Sequence, residues 1–132
     1  MSVGLAMVVV TIGGLAAVLR YGVSLFVASR HHGSWLHRFP WAVFAVNAVG
    51  SAIAGVAAGL ASTAALSADT RLVLVTGLAG GLTTFSTFSV ETVELVRIGR
   101  LRTAAWSVAI NLVIGFAAAG GGYVIARALT GS

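Results

Sequence analysis

The stretch that decides the fold is TGLAGGLTTFSTFS at residues 76–89, which carries three glycines and six hydroxyl side chains. It lies inside a hydrophobic segment that spans approximately residues 70–97. Paired glycines such as Gly80 and Gly81 each weaken a helix by about 1 kcal/mol relative to alanine. Ser and Thr side chains also bond back to the backbone and bend helices. The stretch therefore predicts a helix that is broken in its middle.

The composition around this stretch is that of a membrane protein. Of the 132 residues, 58% are hydrophobic and 8% are charged, and the mean hydropathy is +1.02. Soluble domains are about 45–50% apolar and about 25% charged. The chain has too few charges to cover a soluble surface and no cysteine. Soluble globular, disordered, collagen-like and disulfide-rich classes are therefore excluded.

Four hydrophobic spans are predicted, at approximately residues 3–28, 40–61, 70–97 and 103–129, with the fourth interrupted by Gly120, Gly121 and Gly122. Four helices of about 20 residues nearly fill the chain and leave no room for a soluble catalytic domain. We expect an all-α, polytopic membrane protein that forms one domain over residues 1–132. The first charged side chain is Arg20, so the first span reads as retained rather than as a cleaved signal. Pro40 is expected in the first turn of the second helix, and Ser67 or Asp69 as the cap of the third.

A broken helix at membrane depth is tolerated only where protein or a watery cavity satisfies the freed backbone groups. Freed carbonyls can hold a cation, and freed amides or hydroxyls can hold an anion. Phe85 and Phe88 share a helix face, and their electropositive ring edges suit the border of an anion path. The alternative for the stretch is a tightly packed helix whose hydroxyls bond to its own backbone. The alternative for the rings of Phe85 and Phe88 is that they only pack against other side chains or face lipid.

A stripe of small or polar residues follows every fourth position of the second span: Asn47, Ser51, Gly55 and Gly59. Such a stripe lets another helix approach closely, and packing is the simpler reading for the last three. Asn47 differs, because a buried amide needs partners or water.

The charged residues suggest no enzyme. Glu94 and Arg97 are expected to form an interfacial pair, whereas Glu91 lies deeper and is either protonated or paired with an arginine such as Arg20. The simpler reading of Arg20 is that it snorkels to the headgroups.

Exposed loop histidines are predicted at His31, His32 and His37, which have no acidic neighbours to complete a metal site. Neither a Ser-His-Asp set nor a phosphate-binding loop is present. The net charge of +5 comes from arginines near span ends, so nucleic acid is not an expected partner.

Three motifs together resemble the fluoride ion channel family (CrcB/Fluc). They are Gly13-Gly14 with Arg20-Tyr21, Asn47-Ala-Val-Gly50-Ser51, and GGLTTFSTFS at residues 80–89 followed by Glu91. The resemblance implies passive export of cytoplasmic fluoride across the plasma membrane, which limits its toxicity. It also implies an antiparallel dimer in membrane lipid with two fluoride pathways.

The resemblance assigns roles to individual residues. Backbone carbonyls of Gly80 and Thr83 would hold a structural Na⁺ at the dimer centre. Asn47, Phe85 and Phe88 match pore residues, and Arg20 and Glu91 are assigned structural or electrostatic roles. Further candidates for the fluoride pathway are the hydroxyls of Thr84, Ser86, Thr87 and Ser89. The fourth span departs from the family, which often has Tyr, then Ser four residues later, then Gly. Here the run is Ser107, Asn111, Gly115, and the Asn111 amide is a candidate donor.

Two other functions compete with this one. A small proton-coupled multidrug exporter would need a carboxylate in the first span, and that span has none. A non-transporting membrane scaffold would use the small-residue stripe for association alone and would leave the hydroxyl-rich stretch unexplained.

The arginines are distributed unevenly between the two sides of the membrane. The loops after the first and third spans carry Arg30, Arg38, Arg97, Arg100 and Arg102, while Arg71 and Arg127 lie on the opposite side. The positive-inside rule then favours the first set in the cytoplasm. A chain inserted in one direction needs an oppositely oriented homologous subunit and forms a heterodimer. A dual-topology homodimer is the other arrangement that stays open.

Overall fold

The computed structural model describes residues 1–30 and 39–131. Within these ranges every element is helical. Four segments are long and apolar enough to cross a membrane, namely Val3–Val27, Trp41–Ser62, Ala68–Arg97 and Leu101–Thr130. The predicted all-α class and the four spans are confirmed. The histidines at positions 31, 32 and 37 lie outside the described residues, as does Arg38.

The helices are α1 (Val3–Arg30), α2 (Trp41–Ser62), α3 (Ala68–Leu72), α4 (Gly80–Leu82), α5 (Phe85–Arg97) and α6 (Leu101–Thr130). A π-helical stretch at Val73–Ala79 joins α3 to α4. The third span therefore contains α3, the π-helical stretch, α4 and α5.

The third span is broken, as its glycines and hydroxyls predicted. After α4, Thr83 has φ −74° and ψ 152°, and Thr84 has φ −149° and ψ 114°. Both conformations are extended, so the helix stops for two residues before α5 begins at Phe85. The turns before the break are irregular as well, because π-helical bonding replaces α-helical bonding there.

α2 and α6 are packed backbone to backbone through glycines. A Cβ added at Gly55 would collide with the Ala119 carbonyl, and one at Gly59 would lie 2.5 Å from the Tyr123 carbonyl oxygen. The same interface is tight from the α6 side, where a Cβ at Gly122 would lie 2.9 Å from the Ala52 carbonyl oxygen of α2. The small-residue stripe of α2 thus serves the close helix approach that its spacing indicated.

α1 lies against the irregular half of the third span. A Cβ at Gly77 would lie 3.2 Å from the Val9 carbonyl oxygen, and one at Gly81 would collide with the Gly13 carbonyl and come within 2.8 Å of the Ala16 Cβ. Most other side chains of α1 are exposed, as expected for a helix whose outer face meets lipid or another subunit.

The fourth span is a continuous helix. Its predicted interruption at residues 120–122 is wrong, because α6 is one helix from Leu101 to Thr130. In hydrocarbon an unwound backbone has no water to bond, which costs more than the propensity penalty of glycine. Gly122 supports close packing on α2 instead of a break.

The ends of the helices follow local chemistry. Ser67, one of the two predicted caps, accepts a hydrogen bond from the Thr70 N–H at 3.2 Å. Pro40 flanks α2, which begins one residue later at Trp41. Gly99 has φ +78° and makes the turn between α5 and α6, where a side chain would be strained. The expected surface pair forms, with Arg97 Nη1 3.2 Å from Glu94 Oε2.

We expect Gly55→Ala to destabilise the protein by about 1–3 kcal/mol, because its new methyl group must push α2 away from the α6 backbone. The matched control is Gly121→Ala, since a Cβ at Gly121 meets nothing within 4 Å. Thermal unfolding in detergent measures both variants. Equal melting temperatures for the two variants would contradict the packing described above.

Candidate functional site

The break in the third span is held open by a side chain from α2. In an unbroken helix the Thr84 N–H would bond to the carbonyl of Gly80. Here it donates to Asn47 Oδ1 at 2.9 Å. The amide that a break would leave unpaired is therefore satisfied by Asn47, in an environment where an unpaired N–H costs several kcal/mol.

The start of α5 is capped by Thr84, which is 6% exposed. Its Oγ1 accepts from the Thr87 N–H at 3.1 Å and donates to Thr87 Oγ1 at 3.0 Å. Ser86 Oγ lies 3.2 Å from the same oxygen. Three of the four hydroxyls predicted for the fluoride pathway, those of Thr84, Ser86 and Thr87, thus form one cluster at the α5 N-terminus, where the helix dipole favours negative charge.

The break leaves the four backbone carbonyls of residues 80–83 without their helical partners, and for two of them the structure shows where the partner amide has gone instead. Thr84 N–H bonds to Asn47 and not to Gly80, and Thr87 N–H bonds to Thr84 Oγ1 and not to the Thr83 carbonyl. The carbonyls concerned belong to Gly80 and Thr83, the two residues to which the resemblance assigned Na⁺. Gly80 lies at the surface of the single chain, so its carbonyl is not enclosed by the four spans.

Phe85 and Phe88 open α5 on a shared face. Their ring centroids are 6.2 Å apart and their planes are tilted by 45°. Phe85 is 81% exposed, whereas Phe88 is half-buried. Large apolar side chains are as exposed elsewhere on the outer surface, Leu129 at 77% for example, so the position of Phe85 beside the polar cluster, and not its exposure, relates it to the site.

These groups meet in a cavity of about 420 Å³ between α2, the break and α6. The predicted site residues that line it are Asn47, Thr83, Thr84, Phe85, Phe88 and Asn111. The cavity walls contain no charged side chain among the described residues. Its polar lining consists of amides and hydroxyls.

Part of this lining was not predicted from the sequence. Ser51, which was assigned to helix packing, faces the cavity, and so do Leu112 and Phe116 of α6. Leu112 and Phe116 are four residues apart and so share a helix face. Their position next to Asn111 and Gly115 was a usable signal once Asn111 was singled out.

Other predicted residues lie elsewhere. Ser89 Oγ donates to the Phe85 carbonyl at 2.8 Å, which is a bond within its own helix. Glu91 lines a second cavity of about 310 Å³ near the α5 C-terminus, together with Glu94 and Trp41. Its Oε2 is buried without a hydrogen-bond partner. Among the described residues no ion pair joins Glu91 to Arg20, so that suggested pairing is not formed.

Comparison with known proteins gives a consistent result. The family model described as "CrcB-like protein, Camphor Resistance (CrcB)" matches residues 7–123. A relative from Renibacterium salmoninarum, named "Fluoride-specific ion channel FluC", is 43% identical over 81% of this chain and 86% of its own length.

Two further relatives extend this match. A protein of the same name from Chlorobaculum tepidum is 42% identical over 87% of this chain and 89% of its own length. "Fluoride-specific ion channel FluC 3" from Bifidobacterium longum is 35% identical over 95% of this chain and its entire length. Residues 7–123, which the family model matches, contain the second and third spans, the break and the cavity together with most of the first and fourth spans, and the chain belongs to the CrcB family.

Proposed function

We propose that the chain is a subunit of a fluoride-selective channel, a multi-pass protein of the plasma membrane that lets cytoplasmic fluoride leave passively. The observation that carries this proposal is the cavity at the helix break, where Asn47, Thr84 and two phenylalanine rings meet without a charged side chain. The names of the relatives support fluoride as the ion.

Fluoride is small and strongly hydrated, so removing its water is expensive. A path that strips the water must supply other donors. The Asn47 amide and the edges of Phe85 and Phe88 are the donors of this kind around the cavity, since the Thr84 hydroxyl proton is bound to Thr87 Oγ1. Because all of them are neutral, they offer attraction without a deep electrostatic trap, which conduction requires.

A structural Na⁺ is part of the proposal. The carbonyl oxygens of Gly80 and Thr83 are hard, neutral ligands of the type that hold alkali cations in channels. Both have been released from helical bonding by the contacts that Thr84 makes. Bound Na⁺ would supply charge to compensate these carbonyl dipoles and would hold the break in shape.

The channel is proposed to be an antiparallel dimer. Support comes from the exposure of Phe85 and of Gly80, which leaves part of the site open in a single chain. Each subunit would then contribute two carbonyls to a shared Na⁺ on the twofold axis.

Both kinds of dimer fit this arrangement. Arg97, Arg100 and Arg102 surround the turn between α5 and α6, and Arg71 and Arg127 lie at the opposite end of the helices. This bias favours one direction of insertion, which leads to a heterodimer with an oppositely oriented homologue. A homodimer would require the bias to be overridden.

The purified protein in liposomes is expected to pass fluoride and almost no chloride, because chloride is larger and fits donors spaced for a small ion poorly. An ion-selective electrode records the efflux of each anion from matched vesicles. Equal efflux of both anions would contradict the proposed selectivity for fluoride, and no efflux of either anion would contradict the proposed channel activity.

Replacing Phe85 and Phe88 together with Ile should reduce fluoride flux by about tenfold or more, the effect of losing roughly 1.4 kcal/mol of ion stabilisation. Ile keeps the apolar bulk but has no electropositive ring edge. Gel filtration and thermal unfolding check that the fold is intact. Unchanged flux in a folded double variant contradicts the role of the rings.

The direction of insertion decides the kind of dimer. If the uneven distribution of arginines sets the orientation, a tag at either terminus should be accessible predominantly from one side of the membrane. Neutralising Arg100 and Arg102 with Gln should then increase the minor orientation. Equal populations in the unmodified chain would establish dual topology and favour the homodimer.

A further inference from the structure

A line of side-chain amides connects α6 to the break in the third span. Asn111 Nδ2 donates to the Ser107 carbonyl at 2.9 Å. Asn47 Nδ2 donates to Asn111 Oδ1 at 3.5 Å, and Asn47 Oδ1 accepts from the Thr84 N–H at 2.9 Å. The line therefore begins and ends on backbone groups of two different spans.

The backbone groups at its ends fix the direction of the whole line. A carbonyl oxygen only accepts a hydrogen bond and an N–H only donates one, whereas a carboxamide does either depending on its flip. Turning Asn111 over would place its oxygen against the Ser107 carbonyl. Turning Asn47 over would place its NH₂ against the Thr84 N–H. Each amide therefore has one satisfied orientation, and the contact between the two must run from Asn47 to Asn111.

This geometry holds the Asn47 carboxamide at two points. Its oxygen is bound to Thr84 and one of its two N–H groups is bound to Asn111, so rotation about either bond alone breaks the other. The second N–H is left over, and Asn47 lines the cavity. A donor fixed before the ion arrives needs no reorganisation when the ion binds.

We propose that Asn111 is a positioning residue for the ion path: its Oδ1 fixes the Asn47 carboxamide so that the remaining N–H serves a dehydrated fluoride ion. The inference rests on the fluoride channel proposed above. It is separate from the expectation that Asn111 itself donates to the ion, because Asn111 keeps a second N–H beside the one bound to its own helix. In the positioning role, Asn111 acts through Asn47.

The test is a double-mutant cycle on fluoride flux. Asn111→Leu is similar in size and lacks the acceptor, so the Asn47 amide can turn about its bond to Thr84. We expect about a two- to threefold rise in the fluoride concentration for half-maximal flux, because a 3.5 Å contact lies at the weak end of the range for hydrogen bonds. In an Asn47→Ser background the same substitution should change nothing, because the group to be positioned is gone.

Thr130→Val is the matched control. Thr130 Oγ1 lies 2.7 Å from Thr63 Oγ1 and so also joins α6 to α2, but far from the cavity. It should leave the half-maximal concentration unchanged. An equal effect of Asn111→Leu in both backgrounds, or no effect in either, overturns the proposal.

A second measurement needs no variant and no flux. In the wild-type protein, the side-chain NH₂ of Asn47 should show one proton protected from hydrogen exchange and one that exchanges faster in NMR spectra. Two equally exchanging protons would overturn the positioning role, whichever ion the protein carries. If the liposomes pass no fluoride while this asymmetry is present, the channel proposal fails and the positioning of Asn47 stands.

Discussion

The hydrogen bond from the Thr84 N–H to Asn47 Oδ1 is the interaction on which the rest of the site depends. A helix inside hydrocarbon stays intact unless something else satisfies its backbone. Asn47, on a neighbouring helix, supplies the acceptor that replaces the helical carbonyl. The helix of the third span therefore stops at Leu82 and a new helix begins at Phe85. The free carbonyls, the capped hydroxyl cluster and the aromatic pair all follow from this one diversion of an amide.

The glycine contacts allow a side chain as short as Asn47 to do this. A Cβ at Gly50, one turn from Asn47, would collide with the Thr83 side chain, so α2 and the break lie in direct contact. On the opposite flank, Gly55 and Gly59 bring α6 close enough for Asn111 to reach Asn47. The polar site is thus built by close approach of backbones and not by long polar side chains.

The sequence predicted the elements better than their partners. The break was predictable because glycine pairs and hydroxyls oppose a regular helix, but its position at Thr83 and Thr84 depends on where Asn47 reaches. The glycines at 120–122 have the same low helix propensity and yet stay helical, since there no neighbour replaces their backbone bonds. The α2 stripe predicted a close helix without saying that α6 would be that helix. Phe85, Phe88 and Asn47 were found from the motif, whereas Ser51 and Phe116 required the fold.

The intimate pairing of α2 with α6 has a consequence for biogenesis. α6 follows α2 along the chain only after the whole third span. The groove of α2 at Gly55 and Gly59 therefore enters the bilayer unfilled and stays so until α6 has been synthesised. A nascent chain stalled before α6 would present that groove, and the amide of Asn47 within it, to lipid or to the quality-control proteases of the membrane.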